Sequence, residues 1–226
     1  MMATTRGQRL GIWIITGVLA VGTIGGFIAM MVQPGNDARD QAELKQAQED
    51  YQKKITEYQN KLAQQASELS GRYHGTFAPH AARVAAFDAA AVTELATEDI
   101  VVGEGAEVKD DTKLAVYYVG WNPKGEIFDQ SIENDTLKAP FTVDGPAKES
   151  VIQGWKEGLV GMKIGGVREL TIPAAKAYGE QGKGEKIPAN TPLKFVVMAV
   201  EAPADIPQPE VPEAIKTYYK RLGVGA

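Results

Sequence analysis

The chain has 226 residues, 44% of them hydrophobic and 23% charged, a balance that suits a globular core and excludes a wholly disordered chain. It carries no cysteine and only two histidines, which excludes a disulfide framework, thiolate catalysis and a Cys-based zinc site, so neither metal nor cofactor is expected. Lys and Arg number 24 against 29 Asp and Glu, so there is no overall basic field for nucleic acid.

Residues 1–10 form a short tail with Arg6 and Arg9. Residues 11–32 read GIWIITGVLAVGTIGGFIAMMV, without a charge. As a helix the run would be about 33 Å long, enough to cross the hydrocarbon core of a bilayer. It ends in Met30-Met31-Val32-Gln33-Pro34, which offers no small-x-small cleavage site, so an uncleaved anchor in contact with membrane lipid is expected. Arg6 and Arg9 favour a cytoplasmic N-terminus, although Arg39 and Lys45 lie at a similar distance beyond the span. The expectation is a single-pass protein of a bacterial plasma membrane, with everything after the span outside.

Residues 36–93 read as a helical stalk and linker. Gln, Lys, Glu and Ala dominate up to Leu69, and all are good helix formers. Leu44, Tyr51, Ile55, Tyr58, Leu62 and Leu69 trace a heptad seam whose gaps are filled by Gln48 and Gln65. Such a seam serves a homodimeric coiled coil, or a long helix packed on its own chain, for instance against residues 79–91. Its two tyrosines and two glutamines suit the second better. Ser70-Gly71 is expected to end the helix, and Pro79 to open a short one over residues 80–87.

After Thr97 the pattern turns strand-like. Residues 99–102, 114–118, 125–129, 167–172 and 193–200 are predicted strands, and Asn122-Pro123-Lys124-Gly125 supplies the turn of a hairpin. A single short helix is predicted over residues 150–159, with Ile152, Trp155 and Leu159 at helical spacing and Gly161 after it. Many strands around one helix make an α+β architecture. Residues 203–226 follow as a Pro-rich spacer and a short C-terminal helix from Glu213, with Ile215, Tyr218, Tyr219 and Leu222 on a narrow apolar stripe.

Residues 95–202 carry a family resemblance in several stretches, in order and in register. They are Val116-Tyr117-Tyr118-Val119-Gly120, Gly125-Glu126-Ile127-Phe128-Asp129-Gln130-Ser131, Pro140-Phe141, Val151-Ile152-Gln153-Gly154-Trp155-Lys156-Glu157-Gly158-Leu159, Ala177-Tyr178-Gly179 with Ile187-Pro188, and Leu193-Lys194-Phe195. Together they resemble an FKBP-type peptidyl-prolyl cis-trans isomerase. The resemblance implies an antiparallel sheet of five or six strands wrapped around the single helix, with the pocket between them. It implies that Trp155 is the floor for a proline ring and that Tyr118, Phe128, Phe141 and Phe195 are walls. Val151, Ile152 and Ile187 would line the rim, with the Ile152 N–H and the Tyr178 hydroxyl donating to ligand carbonyls and Asp129 at the edge. Proline-containing, unfolded or partly folded polypeptides would be the substrates, and the folding of exported or surface proteins the role. A non-catalytic, membrane-tethered binding or chaperone module is the alternative. Two features depart from the family: a longer loop between Ser131 and Phe141, and Lys183 and Lys186 in the loop after Tyr178, where a histidine and an aliphatic residue are common.

Overall fold

The computed structural model describes residues 38–149, 151–221 and 223. The expected tail and membrane span lie outside these residues, and among the described residues no helix is long and apolar enough to cross a membrane. The described residues divide into two compact units, one of Gln64–Ala204 and one of residues 38–63 with 205–221 and 223.

The stalk is a single helix of 40 residues, α1 (Ala38–Phe77). The seam positions Leu44, Gln48, Tyr51, Ile55, Tyr58, Leu62, Gln65 and Leu69 are all half-buried or buried, so the heptad spacing marked its inward face. Ile55 is buried, as is Ile215 of the C-terminal helix in the same unit.

The helix does not stop at Ser70-Gly71 as the sequence suggested. It runs on through Gly71 and Gly75 because its last turns are gripped by the sheet. The Ser70 hydroxyl accepts the Leu137 N–H at 2.8 Å. Tyr73 and Phe77 lie against the Tyr117 ring at 6.0 and 6.2 Å. Burial of Phe77 to 0% exposure outweighs the roughly 1 kcal/mol that each mid-helix glycine costs.

The helix expected over 80–87 is instead a 3-10 helix, Ala78–Arg83, followed by extended chain. The backbone groups that would have continued it go to the sheet: Phe87 N–H donates to Pro123 O at 3.0 Å, and Ala85 O accepts the Trp121 indole N–H at 3.0 Å. Arg83 adds an ion pair to the buried Glu169 at 2.7 Å, and Lys194 reaches the other oxygen of that carboxylate at 2.8 Å. Burial alone would raise the Glu169 carboxyl, but the Lys194 and Arg83 bonds hold it below its ordinary range.

The sheet is antiparallel, with six strands. They are β1 (Ala96–Val101), β2 (Lys113–Trp121), β3 (Ile127–Gln130), β6 (Phe141–Asp144), β7 (Val167–Ile172) and β8 (Leu193–Glu201). Their order is β1-β7-β8-β2-β3, with β6 sharing the outer edge of β2 with β3. The longer loop between Ser131 and Phe141 folds into a small hairpin, β4 (Ile132–Glu133) and β5 (Thr136–Leu137). Asn134 and Asp135 turn it with φ of 48° and 58°, the left-handed pair that two-residue hairpin turns require.

Both faces of the sheet are buried. Leu114 and Val116 of β2, with Leu193, Phe195, Val197 and Ala199 of β8, face a core that also holds α2 (Gln153–Leu159). Ala115, Tyr117, Val119 and Trp121, with Val196, Met198 and Val200, face the opposite way, onto Phe77, Leu69 and Tyr73. The two-residue period of a strand sorts these side chains. Because each face has its own cover, β2 and β8 read as nearly unbroken apolar runs.

Candidate active site

The site is built where α2 crosses the sheet. That helix is short, with Ile152 as its N-cap. Two glycines let it lie close on β7: a Cβ at Gly154 would fall 2.4 Å from Ile172 Cγ2, and one at Gly158 2.7 Å from Leu170 Cδ2. Its far end is held by Arg168, which donates to Gly158 O at 2.9 Å and Val160 O at 3.1 Å while its fork pairs with Asp99 at 2.6 and 3.0 Å. Free carbonyls at a helix C-terminus are thereby satisfied by a charged donor. The helix ends at Leu159, and Gly161, with φ of 79°, makes the turn away from it.

This seating fixes Trp155, which is buried to 5% exposure. Three rings meet the indole nearly edge-on: Tyr118 at 5.3 Å, Phe195 at 5.4 Å and Phe141 at 6.0 Å, with interplanar angles of 79–83°. Phe128 stands edge-on to Phe195 at 5.4 Å. Such edge-to-face contacts each add about 0.5–1.5 kcal/mol to area burial and lock ring orientation. Trp155, Ile187 and Phe195 are buried in one cluster, and Tyr118, Phe128, Phe141, Val151, Ile152 and Tyr178 pack against it half-buried. Asp129 joins through its carboxylate, which accepts the Tyr118 hydroxyl at 2.6 Å. All ten residues singled out in the sequence are therefore brought to one place. Burial, and then the bond to Asp129, push the Tyr118 hydroxyl well above its ordinary pKa, so it stays a proton donor to that carboxylate.

Four supporting residues were not singled out. Gly120 on β2 leaves the space that Phe195 and Phe128 fill: a Cβ there would lie 2.5 Å from Phe195 Cε1 and 2.7 Å from Phe128 Cζ. Ser131 bridges the gap between β3 and β6 on the β2 edge, accepting Tyr118 N–H on its hydroxyl at 3.0 Å and donating its own N–H to Tyr118 O at 2.8 Å. Asn122, 4% exposed, holds the loop after Tyr178 by donating to Lys186 O at 2.9 Å. The fourth is Arg168. A glycine in a strand, or a serine just past one, carries no chemical signature of its own, and only the strand register reveals what it faces.

The loop beyond Tyr178 is tied at its base. Lys183 N–H donates to Ile187 O at 2.6 Å, Gly182 N–H to Tyr178 O at 3.2 Å, and Asn190 N–H to Gly179 O at 2.7 Å. Lys186 donates to Ile127 O at 2.7 Å. Lys183 leans back over Tyr178, its ammonium 5.1 Å from the ring centroid and 3.4 Å from the hydroxyl oxygen. The result is an aromatic bowl with donors on its rim.

A family model described as FKBP-type peptidyl-prolyl cis-trans isomerase matches residues 104–200. A probable FK506-binding protein of Corynebacterium glutamicum is 40% identical over 110 residues, covering 48% of this chain and 87% of that protein. An FK506-binding protein of Neisseria meningitidis is 40% identical over 103 residues, covering 46% of this chain and 91% of that one. FK506-binding protein 4 of Dictyostelium discoideum is 45% identical over 103 residues, but the match spans only 27% of its length. The small bacterial proteins are matched nearly end to end, and the chain belongs to the FKBP-type peptidyl-prolyl cis-trans isomerase family, with residues 104–200 as its isomerase domain.

Proposed function

We propose that this chain is a membrane-tethered isomerase that turns X–Pro bonds in exported or surface proteins, with Trp155 as the floor of its site. The observation that carries the reading is the bowl itself: Tyr118, Phe141 and Phe195 stand edge-on around one indole, and the carboxylate beside it, Asp129, is engaged by a tyrosine hydroxyl. Amide resonance holds the X–Pro bond planar behind a barrier of about 20 kcal/mol. Twisting the bond breaks that resonance and shrinks the amide dipole. An apolar, water-poor bowl therefore favours the twisted bond over the planar one, and differential binding lowers the barrier without proton transfer. Tyr178 O–H and the Ile152 N–H would hold the flanking carbonyls while the prolyl side turns.

The tether is read from the uncharged run at 11–32 with Arg6 and Arg9 before it. The substrates would be unfolded chains containing proline, with an apolar residue before it to fill the bowl. NMR exchange spectroscopy on X–Pro peptides tests the chemistry. Wild-type protein is expected to accelerate exchange, while Phe128→Ala and Tyr178→Phe lower kcat/KM roughly tenfold, a loss on the scale of about 1.4 kcal/mol each, and both variants stay folded by circular dichroism. Full activity in Phe128→Ala would remove that wall from the site. No acceleration by folded wild-type protein would leave a non-catalytic binding module.

A further inference from the structure

We infer that Lys183 is a specificity-determining residue that favours substrates with an acidic side chain next to the turning X–Pro unit. The inference rests on the reading of Tyr178 as a donor to a substrate carbonyl. Three other lysines near the site have partners: Lys176 pairs with Glu157, Lys194 with Glu169, and Lys186 with Ile127 O. Lys183 forms no ion pair among the described residues. Its ammonium lies 3.4 Å from the Tyr178 hydroxyl oxygen and 5.1 Å from the centroid of the Tyr178 ring.

An ammonium carries three donors, so at least two remain for a ligand. A carbonyl accepting the Tyr178 hydroxyl would sit ~2.8 Å beyond that oxygen. The ammonium then lies within roughly 6 Å of the carbonyl, and consecutive residues are about 3.8 Å apart, so a carboxylate one residue away can meet it. The Tyr178 ring beneath the cation holds it beside the hydroxyl. The base of the loop is fixed by Lys183 N–H to Ile187 O, so the side chain swings from a set point. The residue is exposed, so the preference is modest and sensitive to salt.

The test uses the full chain and two sets of three peptides that share one Ala-Pro unit. They differ only in the residue next to it, placed in turn before the unit and after it: Glu, Gln or Lys. Exchange rates are measured by NMR at low and at high salt. For at least one placement, kcat/KM should fall from Glu to Gln to Lys, with about a three- to fivefold span between Glu and Gln at low salt that collapses at high salt. Lys183→Gln should level the series, Lys183→Glu should invert it, and Lys183→Arg should keep it. Equal rates for all three peptides of both sets in wild type, or an unchanged ranking in Lys183→Gln, would overturn the inference while leaving the isomerase reading intact. A wild-type protein inactive on every peptide would overturn both.

Discussion

Gly120 is paired across the sheet with Phe195 and Asp129, and the two aromatic rings that flank it occupy the volume a side chain would need. Substituting alanine places a methyl group 2.5 and 2.7 Å from ring carbons, well inside van der Waals contact, so Phe195 and Phe128 must both turn. Overpacking of this kind costs about 1–3 kcal/mol. Because the displaced rings belong to the bowl, the functional loss should exceed the structural one. Gly120→Ala is expected to lower kcat/KM by roughly tenfold or more while the urea midpoint moves only by the equivalent of that overpacking cost. A variant that is destabilised but fully active would separate Gly120 from the site. The same position marks what the sequence made legible. The aromatics announce themselves through size and register, and all ten site residues assemble as one group. The residues that make room for them or orient them, Gly120, Ser131, Asn122 and Arg168, are ordinary polar or small residues whose meaning depends on their neighbours across the sheet.

The stalk helix shows where sequence reasoning stopped short at the level of an element. Its inward face was written in the heptad spacing, because a helical period depends only on the chain itself. Its end was not, because Gly71 and Gly75 are weak helix formers kept helical by tertiary packing: Ser70 on the β4–β5 hairpin, and Tyr73 and Phe77 on Tyr117. The signal lay in the strands. LAVYYVGW and KFVVMAV are too continuously apolar for a sheet with one wet face. The consequence is that the compact unit holding the site runs over Gln64–Ala204 and includes the end of the stalk helix. Phe77→Ala should destabilise this unit by about 3–5 kcal/mol, the usual loss on truncating a buried Phe. A fragment of residues 64–204 is expected to unfold in one cooperative transition in urea. A fragment of residues 95–202 would expose Tyr117, Val119 and Trp121, which are buried in the longer chain, and should aggregate or melt far earlier. Equal midpoints for the two fragments would mean that the helix end covers the sheet without stabilising it.

At the scale of the whole molecule, charge distribution carries the argument about where this chemistry takes place. Residues 94–203 have eighteen acidic and twelve basic groups, while residues 1–35 contain only Arg6 and Arg9 and an uncharged run. Positive charge on the short flank of a membrane span is retained in the cytoplasm, and acidic groups have little influence on which side a following domain occupies. The isomerase domain is therefore expected outside, where unfolded chains emerge during export and a tether would keep the catalyst at the point of need. Arg39 and Lys45 lie beyond the span, and the orientation is tested on the intact chain. Protease added to spheroplasts should cut the chain between the span and Gln64, the start of the unit that holds the site, and release isomerase activity into the supernatant. The short N-terminal piece should stay with the membrane. Protection of the whole chain until lysis would place the isomerase domain in the cytoplasm and remove exported proteins from its substrates, without touching the chemistry of the Trp155 bowl.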